Sequence, residues 1–100
     1  MSRQIIFELE ARLEFEDAVA WYDAQRPGLG DEFVAEIDAA LLRILKHPGR
    51  FPLAGITVRK ARVKVFESYS IYFSVERDFI GIVSVFHGAH DPAELRRRLR

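Results

Sequence analysis

Residues Ser68 to Pro92 carry two β-type runs with only Arg77-Asp78 between them, and this hairpin limits what the rest of the chain can do. In the first run Tyr69, Ile71, Phe73 and Val75 alternate with Ser68, Ser70, Tyr72, Ser74 and Glu76, the period of two that marks a strand with one buried face. The second run, Phe79 to His87, is apolar on both sides. Ile80, Ile82 and Phe86 stand against Val83 and Val85, as in a strand inside a sheet. A link this short excludes a crossover, so the two runs pair antiparallel. The hairpin ends in the polar turn His87-Gly88-Ala89-His90, and the remainder of the chain must cover at least one of its faces.

The sequence before the hairpin supplies such a cover. Gln4–Glu8 reads as a first short strand. Ala11, Phe15, Ala18 and Tyr22 then recur at helical spacing, with Trp21 beside them and Glu10, Glu14, Glu16 and Asp17 on the polar side, which predicts a helix over Glu10–Gln25. Pro27-Gly28 breaks it. Phe33, Ile37, Ala40, Leu41, Ile44 and Leu45 form the apolar stripe of a second helix. Asp31 and Glu32 lie in its first turn and Lys46 and His47 in its last, as the helix dipole favours, and Pro48-Gly49 stops it. Two helices so closely linked form an antiparallel hairpin. Residues 49–55 make a loop anchored by Phe51 and Leu53.

Thr57 to Phe66 alternates again, with Ala61, Val63 and Val65 on one side and Lys60, Arg62 and Lys64 on the other, predicting a strand whose outer face is a basic row. After the hairpin, Asp91 as N-cap, Pro92 at the first helical position and Glu94 three residues after the cap mark the start of a last short helix. Leu95 and Leu99 share a face of it, surrounded by Arg96, Arg97, Arg98 and Arg100. The order β, α, α, β, β, β, short α predicts an α+β fold: an N-terminal strand and an antiparallel helical hairpin packed on one face of an antiparallel sheet, with a short C-terminal helix. On this reading the other face of the sheet is open to solvent or a partner.

Length places residues 1–100 in a single domain, and 49% hydrophobic residues suffice for a small core. With no cysteine, disulfides and thiolate metal sites are excluded, which agrees with a reducing compartment. Met1-Ser2-Arg3-Gln4-Ile5 lacks the apolar run of a signal peptide, and no stretch approaches the roughly 20 apolar residues of a membrane span. The expectation is a cytoplasmic protein with no membrane association. Net charge is zero but unevenly placed. Residues 1–58 hold six Lys/Arg and ten Asp/Glu, a balance of −4, and residues 59–100 hold nine and five, a balance of +4. Such an asymmetry steers a partner onto one face.

The motifs for chemistry are few. His87 and His90 are spaced H-x-x-H, two groups that could open a zinc site but need further ligands to complete it. The serines alternate along strands without the setting of a nucleophile. Gly28-Leu29-Gly30 follows a helix and so fails as a dinucleotide loop. No motif calls for a cofactor or a metal. Lys60, Arg62 and Lys64, with Arg96, Arg97 and Arg98, form a basic surface suited to phosphate or to an acidic protein, and Tyr72, on the basic side of its strand, could stack on a base.

The chain resembles the RelE/ParE family of toxins from bacterial type II toxin–antitoxin systems over nearly its whole length, and the ParE branch more than the RelE branch. The resemblance is carried by Ala18-Val19-Ala20-Trp21-Tyr22, Arg26-Pro27-Gly28-Leu29-Gly30-Asp31-Glu32-Phe33, His47-Pro48 with Phe51-Pro52, Val58-Arg59, Tyr69-Ser70-Ile71-Tyr72, and Val85-Phe86-His87-Gly88 with Asp91-Pro92. It implies a helical hairpin on an antiparallel sheet, a small DNA-binding antitoxin whose C-terminal segment wraps the toxin in a hetero-oligomer, and inhibition of DNA gyrase. The basic surface read from the residues, Lys60, Arg62, Lys64, Tyr72, Arg96, Arg97 and Arg98, is then expected at the target contact. RelE-like members instead cut mRNA on the ribosome. Where those nucleases tend to carry an Arg in the middle strand, an Arg after the last strand and a Tyr in the C-terminal helix, this chain has Ser70 and residues near Gly88 and Glu94. The departures argue against RelE-type cleavage and leave His87 and His90 as the alternative acid–base candidates. ParE-like chains usually carry Phe-Pro-Tyr entering the middle strand and Arg-Arg before Asp-Pro; this one has Glu67-Ser68-Tyr69 and Ala89-His90. A third reading is a toxin-like module that binds an antitoxin without poisoning the cell.

Overall fold

The computed structural model describes residues 3–100. Its elements are β1 (Gln4–Phe7), α1 (Leu9–Gln25), α2 (Leu29–Lys46), β2 (Val58–Arg62), β3 (Tyr69–Val75), β4 (Phe79–His87) and α3 (Pro92–Arg96), with a single 3-10 turn at Pro48–Arg50. The four strands form one sheet in the order β1-β4-β3-β2. The hairpin β3–β4 is antiparallel, as is β2 beside β3. β1 runs parallel to β4, from Gln4 opposite Phe79 to Phe7 opposite Ile82, so the sheet is mixed at that edge. A parallel neighbour is available because the helical hairpin lies between β1 and the other strands in sequence and provides the crossover. No helix is long and apolar enough to cross a membrane among the described residues.

Ala11 and Ala18 from α1 and Phe33, Ile37, Ala40 and Ile44 from α2 bury against Ala61, Tyr69, Ile71, Phe73, Ile80, Ile82 and Val85 of the sheet. Phe33 is the hub. Its ring lies about 5 Å from the rings of Tyr22, Phe66 and Tyr69, at centroid separations of 5.1, 5.1 and 5.0 Å. Offset and edge-on rings at these separations add to the stabilisation from burial alone.

The turn between the helices is set by two glycines and one carboxylate. Gly28 has φ +89°, a left-handed conformation that glycine adopts without a Cβ penalty. Having no side chain, it cannot cap α2. Asp23 does so from the preceding helix, its Oδ1 accepting the Gly30 N–H at 2.7 Å. A Cβ on Gly30 would lie 2.6 Å from that carboxylate and would displace it from the cap.

Three local readings change in the structure. The strand expected over Thr57–Phe66 stops at Arg62. Val65 has φ +69°, an outlier for a β-branched residue, and is 75% exposed instead of facing the core. The turn it makes brings Phe66 back onto Tyr22 and Phe33. Lys64 therefore leaves the basic row. Next, the register of β4 shifts: Tyr72 opposes Ser84 but Phe73 opposes Ile82, so Val83 is an extra residue in a bulge. A one-residue bulge exchanges the faces, which puts Val85 with Ile80 and Ile82 toward the helices and Val83 with Phe86 on the other side. Finally, that other side is not open. Leu95 of α3 packs with Val58, Tyr72, Val83 and Phe86 in a second buried cluster flanked by Ala54 and Leu99. Of the two loop anchors, Phe51 packs edge-on to Phe73 at 5.7 Å, while Leu53 remains exposed.

Removing the cap on α2 has a measurable consequence. Asp23→Ala is expected to cost about 1 kcal/mol, a loss of about 4–8 °C in Tm for a domain of this size. Asp23→Asn, which keeps an acceptor for the Gly30 N–H, is expected to retain most of that stability. Thermal unfolding of the two variants checks both.

Candidate functional site

β4 continues past the end of β1. The last paired residue of β1, Phe7, stands opposite Ile82, so Val83 to His87 have β3 on one side and no strand on the other. Side chains take over this edge. Glu14 of α1 accepts the Val85 N–H at 3.0 Å and the Ser84 hydroxyl at 2.9 Å through Oε1. Arg98 donates to the Val83 carbonyl at 2.8 Å. The two residues also bind each other in a bidentate pair of 3.0 and 2.9 Å, the geometry in which guanidinium–carboxylate bonding is strongest. Glu10 lies 3.6 Å from the same guanidinium. Hydrogen bonding to Glu14 raises the Arg98 pKa above its ordinary value, against the lowering effect of burial. Arg98 is thus 12% exposed and committed to the fold.

A cleft opens along this edge, between α1 and the turn that follows β4. One part of about 590 Å³ is lined by Glu14, Asp17, Trp21, Tyr22, Tyr69 and His87, among others. An adjoining part of about 430 Å³ shares Glu14, Asp17 and His90 and reaches Leu13, Phe86 and Glu94. The walls are aromatic and acidic. Tyr69 lies edge-on to His87 at 4.9 Å, and the rings of His87 and His90 are 5.5 Å apart. The Ala89 N–H donates to His87 Nδ1 at 2.9 Å, so the ring's own proton sits on Nε2. Burial, then Tyr22 and Glu14 nearby, push the Tyr69 phenol up to about 12. Among the described residues no group of three or more His, Asp or Glu is arranged to hold a metal.

Of the basic residues singled out in the sequence, Arg98 lines the smaller part of the cleft; the others do not line it and fall into different settings. Lys60 is half-buried on β2, its Nζ 5.8 Å from the centre of the Tyr72 ring. Tyr72 does not face outward to meet a base. It is buried beneath α3, because Leu95 covers the sheet face that the sequence left open. Arg62 is exposed at the end of β2, and Lys64 is exposed in the loop beyond it. Arg96 is exposed on α3, and Arg97 is exposed and paired with Glu94. The surface cations are therefore Lys60, Arg62, Lys64, Arg96 and Arg97, and Arg98 is an internal tie. The part of the site that sequence reasoning missed is the outer face of α1. Leu9, Leu13 and Trp21 are all exposed. Their spacing by multiples of four was the available signal for a second apolar stripe on this helix.

The arrangement of two helices on a four-stranded sheet is also found in solved structures. A chain of the chromosomal ParDE TA system from P. aeruginosa superposes with a TM-score of 0.73 at 15% identity, covering 85% of this chain and 95% of that one, a likeness of fold. No curated protein matches the sequence. The family model described as the ParE toxin of type II toxin–antitoxin system, parDE, matches residues 5–92, most of the sequence. The chain belongs to the ParE toxin family.

The edge ties and the phenol each give a prediction. Arg98→Ala is expected to cost about 2–3 kcal/mol, since it leaves Glu14 and the Val83 carbonyl without a charged donor. A double-mutant cycle with Glu14→Gln is expected to show coupling above about 1 kcal/mol in denaturant unfolding. The Tyr69 pKa is raised in the folded state, so its contribution to stability is complete below pH 10 and is lost as pH rises toward about 12. Unfolding measured across that range is expected to show this decline, and Tyr69→Phe to flatten it.

Proposed function

We propose that this protein is the toxin component of a cytoplasmic type II toxin–antitoxin pair, that it inhibits DNA gyrase, and that a cognate antitoxin neutralises it within a hetero-oligomer. The observation that carries the reading is membership of the ParE toxin family across residues 5–92. The target contact falls to the surface cations Lys60, Arg62, Lys64, Arg96 and Arg97, which lie on β2, the loop after it, and α3 with the residue that caps its end. Tyr72 and Arg98 act behind them. Tyr72 supports Lys60 and packs under α3, and Arg98 fastens the end of the chain to Glu14.

RNA cleavage finds less support. His87 and His90 lie near each other as an acid–base pair would, but the cleft they line carries Glu14 and Asp17. The lone guanidinium of the adjoining part, Arg98, is bound to Glu14. A phosphodiester there meets like charge, and the charge developing during cleavage lacks a free cation to stabilise it.

Induced expression of the chain without an antitoxin is expected to arrest growth and to yield gyrase-trapped DNA breaks before any cut in mRNA. Reversing charge with Arg96→Glu and Arg97→Glu, which touches neither Leu95 nor Arg98, is expected to reduce the breaks at least about tenfold, equivalent to about 1.4 kcal/mol of target binding. Prompt mRNA cleavage abolished by His87→Ala would transfer the assignment to the nuclease reading. Normal growth with neither lesion would leave an antitoxin-binding module.

A further inference from the structure

Trp21 is the sole tryptophan in the sequence and is 58% exposed. It lies edge-on to Tyr22 at 5.1 Å and forms one wall of the 590 Å³ cleft. Asp17 lies four residues before it and Leu13 four residues before Asp17. At a rise of about 1.5 Å per residue, one apolar side chain stands about 6 Å above the carboxylate and another about 6 Å below it. Leu13 is 49% exposed. The outer stripe of α1 thus reads apolar, acidic, apolar, above a floor of aromatic rings. Glu14 also faces the cleft, but its charge is taken by Arg98. Asp17 makes no ion pair among the described residues, and no Lys or Arg lines the larger part of the cleft.

We propose that this cleft captures a single Arg or Lys side chain that a protein partner presents between two apolar side chains. The cationic head pairs with Asp17 and lies against the rings of Trp21 and Tyr22, and the flanking apolar side chains cover Leu13 and Trp21. Each part of the pairing has a physical reason. Aromatic faces attract a cation through their quadrupole, most strongly for tryptophan. A carboxylate–guanidinium pair strengthens as the apolar flanks exclude water from around it. A phosphate or an acidic segment is repelled by the same carboxylates, and a purely apolar segment would bury Asp17 without a partner. The inference deepens the toxin reading and rests on it in one respect, that the chain works through a protein partner. It states the chemistry that partner brings to α1, and it is separate from the basic surface assigned to the target.

The test uses the full chain and three peptides: acetyl-Leu-Arg-Leu-amide, the same peptide with citrulline for Arg, and the same peptide with Glu for Arg. Citrulline keeps the shape of arginine and removes its charge. Binding is followed by Trp21 fluorescence and, independently, by NMR shifts of the Val85, His87 and Ala89 amides. The Arg peptide is expected to give a saturable response in both. The citrulline peptide is expected to bind roughly tenfold more weakly, and the Glu peptide not at all. Asp17→Asn, an exposed change that leaves the Glu14–Arg98 tie intact, is expected to reduce Arg-peptide affinity to the citrulline level. Equal affinity for the Arg and citrulline peptides, an Asp17→Asn chain that binds as well as the unchanged one, or no saturable response would overturn the proposal. Neither antitoxin nor gyrase enters the assay. A chain that fails to arrest growth can still pass it, and a chain that arrests growth can still fail it.

Discussion

A strand that outruns its neighbour leaves backbone groups facing an edge, and the way β4 resolves this determines much of the molecule. From Val83 to His87 it has β3 on one side and no strand on the other, because β1 ends opposite Ile82. Glu14 and Arg98 act as a substitute strand, one accepting from the backbone and the other donating to it. Because the same two side chains form a bidentate pair, neither can be lost without leaving the other charged and poorly satisfied. The tie fixes α3 over the second sheet face, which buries Tyr72 and Val83, and it holds α1 at the distance that leaves a cleft along the edge. The C-terminal segment, the edge of β4 and the wall of the candidate site meet at one partly buried ion pair.

Periodicity made most of the architecture legible. The hairpin, both long helices and the last helix lie where the alternation and the breakers put them, because each rests on local rules: a period of two, a period near four, Pro-Gly at helix ends, and Asp91 before Pro92. The Asp91 carboxylate does accept an N–H of the last helix, that of Ala93. What the sequence could not show are effects decided by distant partners. The bulge at Val83 exchanges two faces with no change in local composition. Val65 takes a left-handed conformation where the chain turns to bring Phe66 against Phe33, a contact between residues 33 positions apart. β1 pairs parallel because the helices between it and β4 permit it.

The site was legible in a different proportion. The basic residues were readily found, since charge is visible in any sequence, but their accessibility was not. Arg96 ends the last short helix and Arg98, chemically identical, lies two residues beyond it, yet Arg98 is fixed between Glu14 and the Val83 carbonyl while Arg96 is exposed to solvent. Tyr72 alternates with the apolar face and so reads as outward, a reading reversed by a single leucine, Leu95. The outer stripe of α1 was hidden for the opposite reason. A helix with apolar residues on two sides has a blurred periodicity, and Trp21 reads as an addition to the buried set.

The closing tie also has a place in time. Glu14 and Arg98 are 84 residues apart, and at about 5–20 residues per second their codons are translated roughly 4–17 s apart. Most of that interval passes before β4 is made; only over the last eleven residues, from His87 to Arg98, is β4 complete while its edge and the face above Tyr72 still lack their cover. A nascent chain in this condition exposes apolar surface and unpaired strand backbone that the finished protein hides. A molecule that meets the chain during synthesis would therefore find a different surface from one that meets the finished fold.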